Sequence, residues 1–484
     1  MSYAGQEFDI AARNLLCPEN YVNPTPEGGY HLVVLGAGPA GLIAAIGAAG
    51  LGAKVALIEK HLMGGDCLNV GCVPSKAILT YAEEHCAPDF EDAFKFARKI
   101  RADIAPHDSV ERYSELGVDI YLGMGQFVDE KSVSVAGQII SGRRFLVSTG
   151  ARASIPPIPG LVESDPLTNE TLFDLKAQPK VLGILGAGVI GCEMAQAFSK
   201  LGTEVHLFEL ADEILPLEDP EAARVMRTRL DASGIHTHVG YGVQSIGEES
   251  DRKIVVTEEG RYPVDRILVA LGRRPNTDEL GLEKAGVSVD QFGFIETDDK
   301  LRSSNKKIYA AGDCTSRKQF THNADAQARV VVQNALFAPT ASCANHVIPR
   351  CIYTQPELAA VGASERELEE ENIEYDTFRF ELGELDRGRV QQDEVSFAKV
   401  FTKRGSDTLL GATVVGKDAG ELIAPLTILM SNGLGLSALG KTILPYPTRS
   451  EYLKRLADAY NRTRMTPTVA NLFKRWLSVT DPRT

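Results

Sequence analysis

Residues 31–59 read HLVVLGAGPAGLIAAIGAAGLGAKVALIE, in which an apolar run, a glycine-rich turn and an alanine-rich segment precede a second apolar run. This order predicts a strand, a tight turn, a helix and another strand. Gly36 permits the turn, Gly38 lets the backbone approach a pyrophosphate, and Gly41 lets the helix pack close to the strand. Glu59 lies 23 residues after Gly36, where an acid can bind a ribose hydroxyl. The stretch therefore predicts a dinucleotide site.

The same pattern occurs again in residues 180–209, which read KVLGILGAGVIGCEMAQAFSKLGTEVHLFE. Its turn glycines are Gly186, Gly188 and Gly191, and Glu209 repeats the acid at the same 23-residue spacing. Two such patterns in one chain predict that it binds two dinucleotides.

A pair of cysteines follows the first pattern, in residues 64–76, GGDCLNVGCVPSK. Five steps along an ideal helix rise roughly 7.5 Å, whereas bridged cysteines need Cα atoms within about 7 Å. A disulfide between Cys67 and Cys72 therefore requires distorted backbone, which Gly71 can supply. Such a bond is easily reduced, and a helix N-terminus would stabilise the resulting thiolate. We interpret the pair as redox-active and expect the first dinucleotide to touch it; the alternative is two buried thiols that never bond.

The composition suits a multidomain enzyme of a reducing compartment. A chain of 484 residues is long enough for about three domains. A net charge of −14 argues against nonspecific binding to nucleic acid. The eight cysteines show no disulfide framework beyond the one pair, which favours the cytoplasm. We expect no transmembrane segment, no secretory signal and no resident metal ion.

The motifs together resemble those of the pyridine nucleotide-disulfide oxidoreductases, a family that includes glutathione reductase, dihydrolipoyl dehydrogenase and mercuric reductase. The resemblance runs from about residue 30 to about residue 465 and is carried further by STG at 148–150, LGRRPN at 271–276, AAGD at 310–313 and PRCIYTQPELAAVG at 349–362. It implies an α/β fold with two Rossmann-like dinucleotide-binding domains, for FAD and NAD, and a C-terminal α+β dimerisation domain. It also implies a homodimer.

The domain boundaries expected from this resemblance and from loop composition divide the chain into four parts. They are an N-terminal extension at 1–28 that lies on the surface or is partly ordered, an FAD-binding domain at 29–170 and 298–345, an NAD(H)-binding domain at 171–297, and a dimerisation domain at 346–484.

The resemblance also implies which residues bind the two cofactors. Those for FAD are Gly36, Gly38, Gly41, Glu59, Lys76, Thr149, Gly150 and Asp313. Those for NAD are Gly186, Gly188, Gly191, Glu193, Glu209 and Gly272. We expect NADH rather than NADPH, because Glu209 would repel a 2′-phosphate and the ten residues after it carry four acids and no base. The alternative is that a basic residue elsewhere reaches the pocket.

Lys76 and Glu193 are predicted to act at the flavin. Lys76 follows Cys72 by four residues and so shares its helix face. Without the resemblance, the alternative is that each residue is a charged side chain on a solvent-exposed helix face. In the family, however, the matching lysine and glutamate form a pair beside the flavin ring, where an ammonium stabilises negative charge on reduced flavin. The resemblance further implies that Cys72 lies nearer the flavin and that Cys67 is the interchange thiol facing the substrate.

Tyr446 marks a departure from the thiol-reducing members of the family. Those members carry His-Pro-Thr followed by a glutamate, whereas residues 444–451 here read LPYPTRSE. Tyr446 occupies the position of the histidine and Glu451 that of the glutamate, and the resemblance implies that both serve the active site of the second subunit. No histidine follows His346. A tyrosine with a pKa near 10 is a poor base at neutral pH.

Mercuric reductases resemble this chain at Tyr446, since they too carry a tyrosine there. They also carry a C-terminal cysteine pair, whereas no cysteine follows Cys351 here. Many of them carry an N-terminal metal-binding domain with a CxxC pair, whereas the 28-residue extension here holds only Cys17. We therefore expect a mercuric reductase-like flavoprotein whose electron acceptor, a small molecule or a protein, is unidentified. The alternatives are a dihydrolipoyl dehydrogenase-like dithiol oxidoreductase and a flavoprotein without turnover that senses redox state or docks on a partner.

The C-terminal tail is basic on an acidic protein. Residues 449–484 contain eight basic and three acidic residues. The apolar residues Val469, Leu472, Phe473 and Trp476 fall on one predicted helix face, beside Lys474 and Arg475. We expect this helix to pack against the dimer; the alternative is docking on a membrane surface or a partner.

Overall fold

The computed structural model describes residues 5–393 and 395–480. They form two compact units, the first made of residues 5–214 and 230–345 and the second of residues 215–229 and 346–480. The four-part domain division expected from the sequence stays a prediction.

Residues 5–345 contain seventeen strands and ten α-helices, with a 3₁₀ turn at Ala105–Asp108. The strands are β1 (Leu32–Leu35), β2 (Val55–Glu59), β3 (Val118–Leu122), β4 (Gln126–Asp129), β5 (Ser132–Val135), β6 (Gln138–Ser141), β7 (Phe145–Val147), β8 (Ala151–Ala153), β9 (Val181–Leu185), β10 (Glu204–Glu209), β11 (His236–Val239), β12 (Ser245–Glu249), β13 (Arg252–Val256), β14 (Arg261–Val264), β15 (Arg266–Val269), β16 (Arg273–Pro275) and β17 (Ile308–Ala310). The helices are α1 (Gln6–Leu16), α2 (Pro39–Gly50), α3 (Gly65–Asn69), α4 (Cys72–Glu84), α5 (Phe90–Ile104), α6 (Val110–Glu115), α7 (Asn169–Leu172), α8 (Val189–Lys200), α9 (Pro220–Ala232) and α10 (Thr321–Leu336).

A five-stranded parallel sheet of order β17-β7-β1-β2-β3 carries the first glycine motif. Every residue of β1 and β2 is buried, because helices α2 and α10 cover one face of the sheet and the β4-β5-β6 sheet covers the other. The motif forms β1, α2 and β2, with Leu32 paired to Val55. The predicted strand, turn, helix and strand are confirmed.

A second parallel sheet, of order β11-β10-β9-β15, carries the second motif. The motif forms β9, α8 and β10, with Val181 paired to Glu204. Strand β11 lies at the edge of this sheet and pairs only with β10 among the described residues. Three smaller antiparallel sheets complete the first unit: β4-β5-β6, β12-β13-β14 and β16-β8.

The described part of the N-terminal extension, residues 5–28, is held to the rest of the first unit by α1 and by side chains that follow it. Ala12 and Leu16 of α1 are fully buried. The Tyr21 hydroxyl donates to the Ile120 carbonyl at 3.0 Å. The Asn23 side chain donates to the Leu122 carbonyl at 2.9 Å and accepts from the Leu122 amide at 2.8 Å. Asn23 therefore satisfies backbone groups at the edge strand β3.

The second unit is built on a five-stranded antiparallel sheet of order β18-β19-β22-β21-β20. Its strands are β18 (Arg350–Ile352), β19 (Glu357–Gly362), β20 (Tyr375–Glu381), β21 (Phe397–Lys403) and β22 (Leu409–Gly416). Its helices after residue 345 are α11 (Glu365–Glu370), α12 (Asp386–Val390), α13 (Ala419–Leu422), α14 (Ala424–Ser431), α15 (Glu451–Thr463) and α16 (Pro467–Val479), with 3₁₀ turns at Leu382–Glu384 and Leu436–Lys441. The antiparallel strands predicted from FAKVFT and LLGATVVG are β21 and β22, paired from Phe397 with Val415. The predicted α/β fold class is confirmed.

The tail forms the amphipathic helix predicted for it, as α16, which has no buried residue. Trp476 is 68% exposed. Its packing against a second subunit stays a prediction. Across residues 5–393 and 395–480, no helix combines the length and apolar character needed to cross a bilayer.

Candidate active site

The helix is interrupted between the two cysteines, as their spacing requires for a disulfide. Cys67 lies in α3, which ends at Asn69, and Cys72 is the first residue of α4. Gly71 lies between the helices with φ −138° and ψ −116°. A Cβ added to Gly71 would lie 2.8 Å from the Asp66 carbonyl oxygen, so only glycine allows this close approach. Two short helices therefore meet where a continuous helix would hold the thiols apart.

The two cysteines are present as thiols, and their pKa values are shifted in opposite directions. The hydrogen bond from Cys67 lowers the pKa of Cys72 to about 5, with the Thr321 hydroxyl and the Lys76 charge acting in the same direction. The Thr321 oxygen lies 3.6 Å from the Cys72 sulfur. The same bond, together with burial, raises the pKa of Cys67. Cys72 is therefore the residue that carries the thiolate at neutral pH.

Lys76 and Glu193, 117 residues apart in the sequence, form an ion pair. The Lys76 ammonium nitrogen lies 2.8 Å from Glu193 Oε2. Glu193 is only 2% exposed, and Lys76 is 31% exposed. A buried carboxylate needs such a partner, because an unpaired charge in a protein interior is strongly destabilised. The structure thus brings together the lysine of α4 and the glutamate of α8, as the resemblance implied.

The backbone of the first glycine turn lies so close to neighbouring carbonyl groups that it leaves no room for side chains at Gly36 and Gly41. Gly36 has φ +99°, and an added Cβ would lie 2.4 Å from the Ser148 carbonyl oxygen. A Cβ on Gly41 would lie 1.8 Å from the Gly36 carbonyl oxygen. The Glu59 carboxylate accepts a hydrogen bond from the Ala37 amide at 2.7 Å, and burial raises its pKa. The acid is held at the turn, where the ribose of a dinucleotide would lie.

A cavity of about 290 Å³ opens beside this turn. Three residues predicted to bind FAD line it, Gly36, Glu59 and Thr149. Basic, polar and acidic side chains also line it; they are Lys60, Arg152, Asn276, Asp278 and Glu279. The Thr149 hydroxyl donates to the Asn276 carbonyl at 2.6 Å, which ties the STG and LGRRPN segments together. Glu59 and the Gly36 turn fit the adenosine portion of FAD, while Arg152 is paired with Asp278 of the same cavity.

The second turn repeats the construction of the first. Gly186 has φ +100°, and an added Cβ would lie 2.5 Å from the Ala270 carbonyl oxygen. A Cβ on Gly191 would lie 1.9 Å from the Gly186 carbonyl oxygen. The Glu209 carboxylate accepts from the Ala187 amide at 2.8 Å. This arrangement fits a second dinucleotide in the way that the first fits FAD.

Four further glycines predicted to bind cofactors occupy helix starts and turns. Gly38 and Gly188 are the residues that precede α2 and α8 and have extended backbones. Their helices therefore direct free amide groups at the space before them. Gly150 and Gly272 adopt left-handed conformations with φ +71° and +97°.

Arg273 was missed by the sequence analysis, although it lies inside the LGRRPN motif. Its guanidinium donates to the Asp66 carboxylate of the cysteine motif and to the Ala151 carbonyl. Its Nε lies 4.0 Å from Asp313 Oδ2. Burial raises the pKa of Asp313, and the Arg273 charge opposes that shift. Arg273 thus connects the cysteine motif with Asp313, one of the residues predicted to bind FAD.

Tyr446 and Glu451 belong to the second unit, and the tyrosine is paired with a residue that the sequence did not indicate. The Tyr446 hydroxyl donates to Asp386 Oδ2 at 2.6 Å. The hydrogen bond and charge of Asp386 raise the pKa of Tyr446 above its ordinary value of 10. Tyr446 is 70% exposed, and Glu451 is the first residue of α15. No motif linked Asp386 to Tyr446, because sixty residues separate them.

Comparison with known proteins identifies the class to which this fold and site belong. Residues 30–328 match the model of the family described as pyridine nucleotide-disulphide oxidoreductase, and residues 348–457 match that family's dimerisation domain. The chain belongs to the pyridine nucleotide-disulphide oxidoreductases, which are enzymes that depend on FAD and NAD(P)H.

Individual relatives carry different activities. A mercuric reductase of Staphylococcus aureus is 32% identical over 92% of this chain and 85% of its own. A dihydrolipoyl dehydrogenase of Thermus scotoductus is 34% identical over 90% of this chain and 98% of its own. A solved structure, the Cu(II) complex of the HOCl-induced flavoprotein disulfide reductase RclA from Escherichia coli, is 30% identical and covers 88% of this chain and 98% of its own, with a TM-score of 0.82.

Proposed function

We propose that this protein is a homodimeric cytoplasmic enzyme that takes two electrons from NADH and passes them through FAD and the Cys67–Cys72 pair to an acceptor that requires no histidine base. A metal ion bound by thiolates is the acceptor class that fits best. The observation that carries the proposal is the hydrogen bond from Tyr446 to Asp386, in the place where thiol-reducing relatives need a base. Homodimerisation rests on the matched dimerisation domain.

FAD, when bound, accepts hydride from the reduced nicotinamide and passes two electrons to the disulfide. Side chains of the protein then stabilise the negative charge of the thiolate that results. Lys76 presents an ammonium held by the buried Glu193 carboxylate, and that ammonium favours the Cys72 thiolate. The glycine turn and Glu59 hold the nucleotide end of the cofactor, and Asp313 is the acid for its ribityl chain.

Reduction of the Cys67–Cys72 disulfide by NADH takes no proton from solvent. NADH and the disulfide give NAD⁺, one thiol at Cys67 and one thiolate at Cys72. The hydrogen bond from Cys67 to Cys72 suits that product, since the thiol donates to the thiolate. The reduced pair therefore reaches the acceptor with one proton still on Cys67.

The chemistry of the acceptor determines whether the enzyme needs a positioned acid–base group. A divalent metal ion that takes two electrons becomes the neutral metal, the disulfide re-forms, and the Cys67 proton goes to solvent. A disulfide acceptor instead needs a proton delivered to each departing sulfur. A histidine does this in thiol-reducing members, and a positioned acid–base is worth about 10²–10⁴-fold in rate. Tyr446, with its pKa raised by Asp386, is unsuited to that task at neutral pH.

The donor is proposed to be NADH because of Glu209. Both of its carboxylate oxygens accept backbone amides, from Ala187 at 2.8 Å and from Ala211 at 3.0 Å. The acid is thus fixed in place and carries negative charge where the adenosine ribose would lie. It favours a free 2′-hydroxyl over a 2′-phosphate.

A second candidate function is dithiol–disulfide oxidoreduction of the dihydrolipoyl dehydrogenase type. It is favoured by the relative from Thermus scotoductus, 98% of which is covered by the match. The two candidates share the cofactors, the cysteine pair and Lys76, and they differ in whether Tyr446 supports turnover of a disulfide.

A steady-state screen separates the candidates. Purified protein with FAD and NADH is assayed with mercuric ion, lipoamide, glutathione disulfide and quinones. We expect turnover with the metal ion to exceed that with either disulfide, and Cys67→Ser and Cys72→Ser each to abolish it. Faster turnover of lipoamide than of the metal ion would make the second candidate the correct one. Rapid flavin reduction by NADH with turnover of none of these acceptors would contradict both and favour a redox-sensing protein.

A further inference from the structure

Three of the nine histidines lie on two neighbouring strands of the second parallel sheet. His206 of β10 pairs directly with His236 of β11, and His238 is two residues further along β11. Alternate residues of a strand point to the same side of a sheet. Glu204 and His206 from β10 therefore share one face with His236 and His238 from β11.

The donor atoms of three of these residues converge. One oxygen of Glu204, one nitrogen of His206 and one nitrogen of His236 all lie within 4.8 Å of one another. His206 Nε2 lies 3.2 Å from Glu204 Oε1. Glu204 and His236 are exposed and His206 is half-buried, so an ion from solvent can reach the group. The three donors are close enough to surround one small cation.

His238 holds the His206 ring from the other side. His206 Nδ1 lies 3.0 Å from His238 Nε2, and His238 Nδ1 lies 3.2 Å from the Tyr241 oxygen. The His238 ring is itself packed against Phe208, at 4.7 Å between centroids, and Tyr262, at 4.4 Å, and those two rings contact each other. A ligating histidine is commonly oriented in this way through its second nitrogen.

Both ring nitrogens of His206 are engaged within the cluster, Nδ1 by His238 and Nε2 by Glu204. In the tautomer with Nδ1–H donating to His238, Nε2 presents to Glu204 the lone pair that a metal ion needs. In the other tautomer Nε2–H donates to Glu204, and a bound metal ion displaces that proton.

We propose that Glu204, His206 and His236 bind a divalent first-row cation of the Zn²⁺ class, with His238 as a positioning residue. Two imidazole nitrogens and one carboxylate oxygen form a donor set that such ions accept, with a water in the remaining position. The ligands come from two strands, and one of them is the edge strand β11. The ion therefore cross-links that edge to the sheet that carries Glu209. This site is separate from the redox cysteines and does not depend on which acceptor the enzyme uses.

The test uses the oxidised protein with FAD bound, so that Cys67 and Cys72 are joined and unavailable to metal. Zn²⁺ is added by equilibrium dialysis, metal per chain is measured by elemental analysis, and thermal unfolding is followed with and without Zn²⁺. We expect about one zinc per chain that is absent from His236→Ala, and a rise in the unfolding midpoint that disappears with it. His236 is exposed, so the metal-free midpoint should stay near that of the parent. His107→Ala, which removes an exposed histidine elsewhere, should behave like the parent.

A second variant tests the positioning role. His238→Phe keeps an aromatic ring against Phe208 and Tyr262 but removes the nitrogen that holds His206. We expect the zinc affinity to fall by about 10–100-fold, the usual effect of losing such a support. Equal zinc binding by the parent and His236→Ala would overturn the proposal. So would loss of the zinc in a Cys67→Ser/Cys72→Ser double variant, which would assign the metal to the thiols. Flavin reduction by NADH is measured on every variant, so failure of this site is distinguished from failure of the proposed function.

Discussion

The hydroxyl of Tyr446 donates a hydrogen bond to Asp386, with 2.6 Å between the two oxygens. The phenol proton is therefore engaged by a carboxylate, and the nearby negative charge opposes its loss. Asp386 begins α12, and Tyr446 lies five residues before the start of α15. The pair explains why a tyrosine in the position of a histidine cannot simply take over its work as a base.

Replacing Tyr446 by histidine should restore disulfide chemistry. The imidazole would lie near Asp386, five residues before Glu451, at the spacing used by dithiol-handling relatives. We expect Tyr446→His to raise lipoamide turnover about tenfold or more, since a positioned acid–base is worth about 10²–10⁴-fold and the new ring is not fully oriented. The matched control is Tyr446→Phe, which should leave both lipoamide turnover and flavin reduction by NADH near the parent values. Fast lipoamide turnover by the unmodified protein would contradict this prediction.

The Cys72 thiolate should persist well below neutral pH. Because its pKa is lowered to about 5, the charged form is present above that value and is lost as the pH falls through it. We expect the two-electron-reduced protein to show a long-wavelength absorption band, from the thiolate beside oxidised flavin, that is constant from pH 8 to about pH 6 and disappears near pH 5. Cys72→Ser should abolish the band.

Thr321 should tune that titration. Its hydroxyl lies 3.6 Å from the Cys72 sulfur and helps to stabilise the thiolate. Thr321→Val, which keeps the shape of the side chain but removes the donor, should move the midpoint of the band to higher pH, whereas Thr321→Ser should leave it near the parent value. A band that titrates near pH 9 in the parent would show that the thiolate is not stabilised.

The preference for NADH proposed from Glu209 should be altered by a base placed beside that residue. Leu210 is 72% exposed and directly follows the acid, so Leu210→Arg leaves the backbone hydrogen bonds of Glu209 intact. We expect a gain of about tenfold in kcat/KM for NADPH, because a hydrogen bond to a charged group is worth about 1.5–3 kcal/mol. Leu210→Gln is the uncharged control. If the parent already uses NADPH as well as NADH, the assignment of Glu209 is wrong.

A buried lysine should govern the stability of the second unit. Lys399 lies 2.8 Å from Asp219, 3.0 Å from Glu221 and 3.4 Å from Glu365, and only 6% of its side chain is exposed. Lys399→Met would leave these carboxylates without their shared cation. We expect a loss of about 3–5 kcal/mol in the free energy of unfolding, the usual effect of removing one partner of a buried ion pair. Lys403→Met, at the exposed end of the same strand, should cost little.

The pH dependence of that loss follows from the two pKa shifts. Burial lowers the pKa of Lys399, but the hydrogen bonds and charges of the surrounding carboxylates together outweigh burial and raise it, so its contribution is present below about pH 10.5 and lost above the raised value. Burial raises the pKa of Glu221, but the hydrogen bonds and charges of Lys399 and Arg379 together outweigh it, so that contribution is present above about pH 4.5 and lost in stronger acid. The difference between parent and Lys399→Met, measured by chemical unfolding, should be largest between these limits and smaller outside them. A difference that does not change with pH would mean that packing, and not charge, causes the loss.

Local sequence was enough wherever the deciding contacts lie within one motif. The turn at Gly36 follows from the absence of a side chain, because a Cβ there would meet the Ser148 carbonyl. The break between Cys67 and Cys72 follows from Gly71 in the same way. The docked N-terminal segment could not be predicted, because the groups that hold Asn23 come from β3, a hundred residues away.

By itself the sequence determined the fold class, the two glycine turns, the break between Cys67 and Cys72 and the lack of a histidine at position 446, since each of these depends on residue type and spacing within a few tens of residues. Only the tertiary structure decided which distant groups meet: Tyr446 with Asp386, Arg273 with Asp66, and His206 with His236. The reason is register. A shift of one residue between β10 and β11 would move His236 to the opposite face of the sheet, and such pairings are set by packing across the whole unit and not by any local pattern.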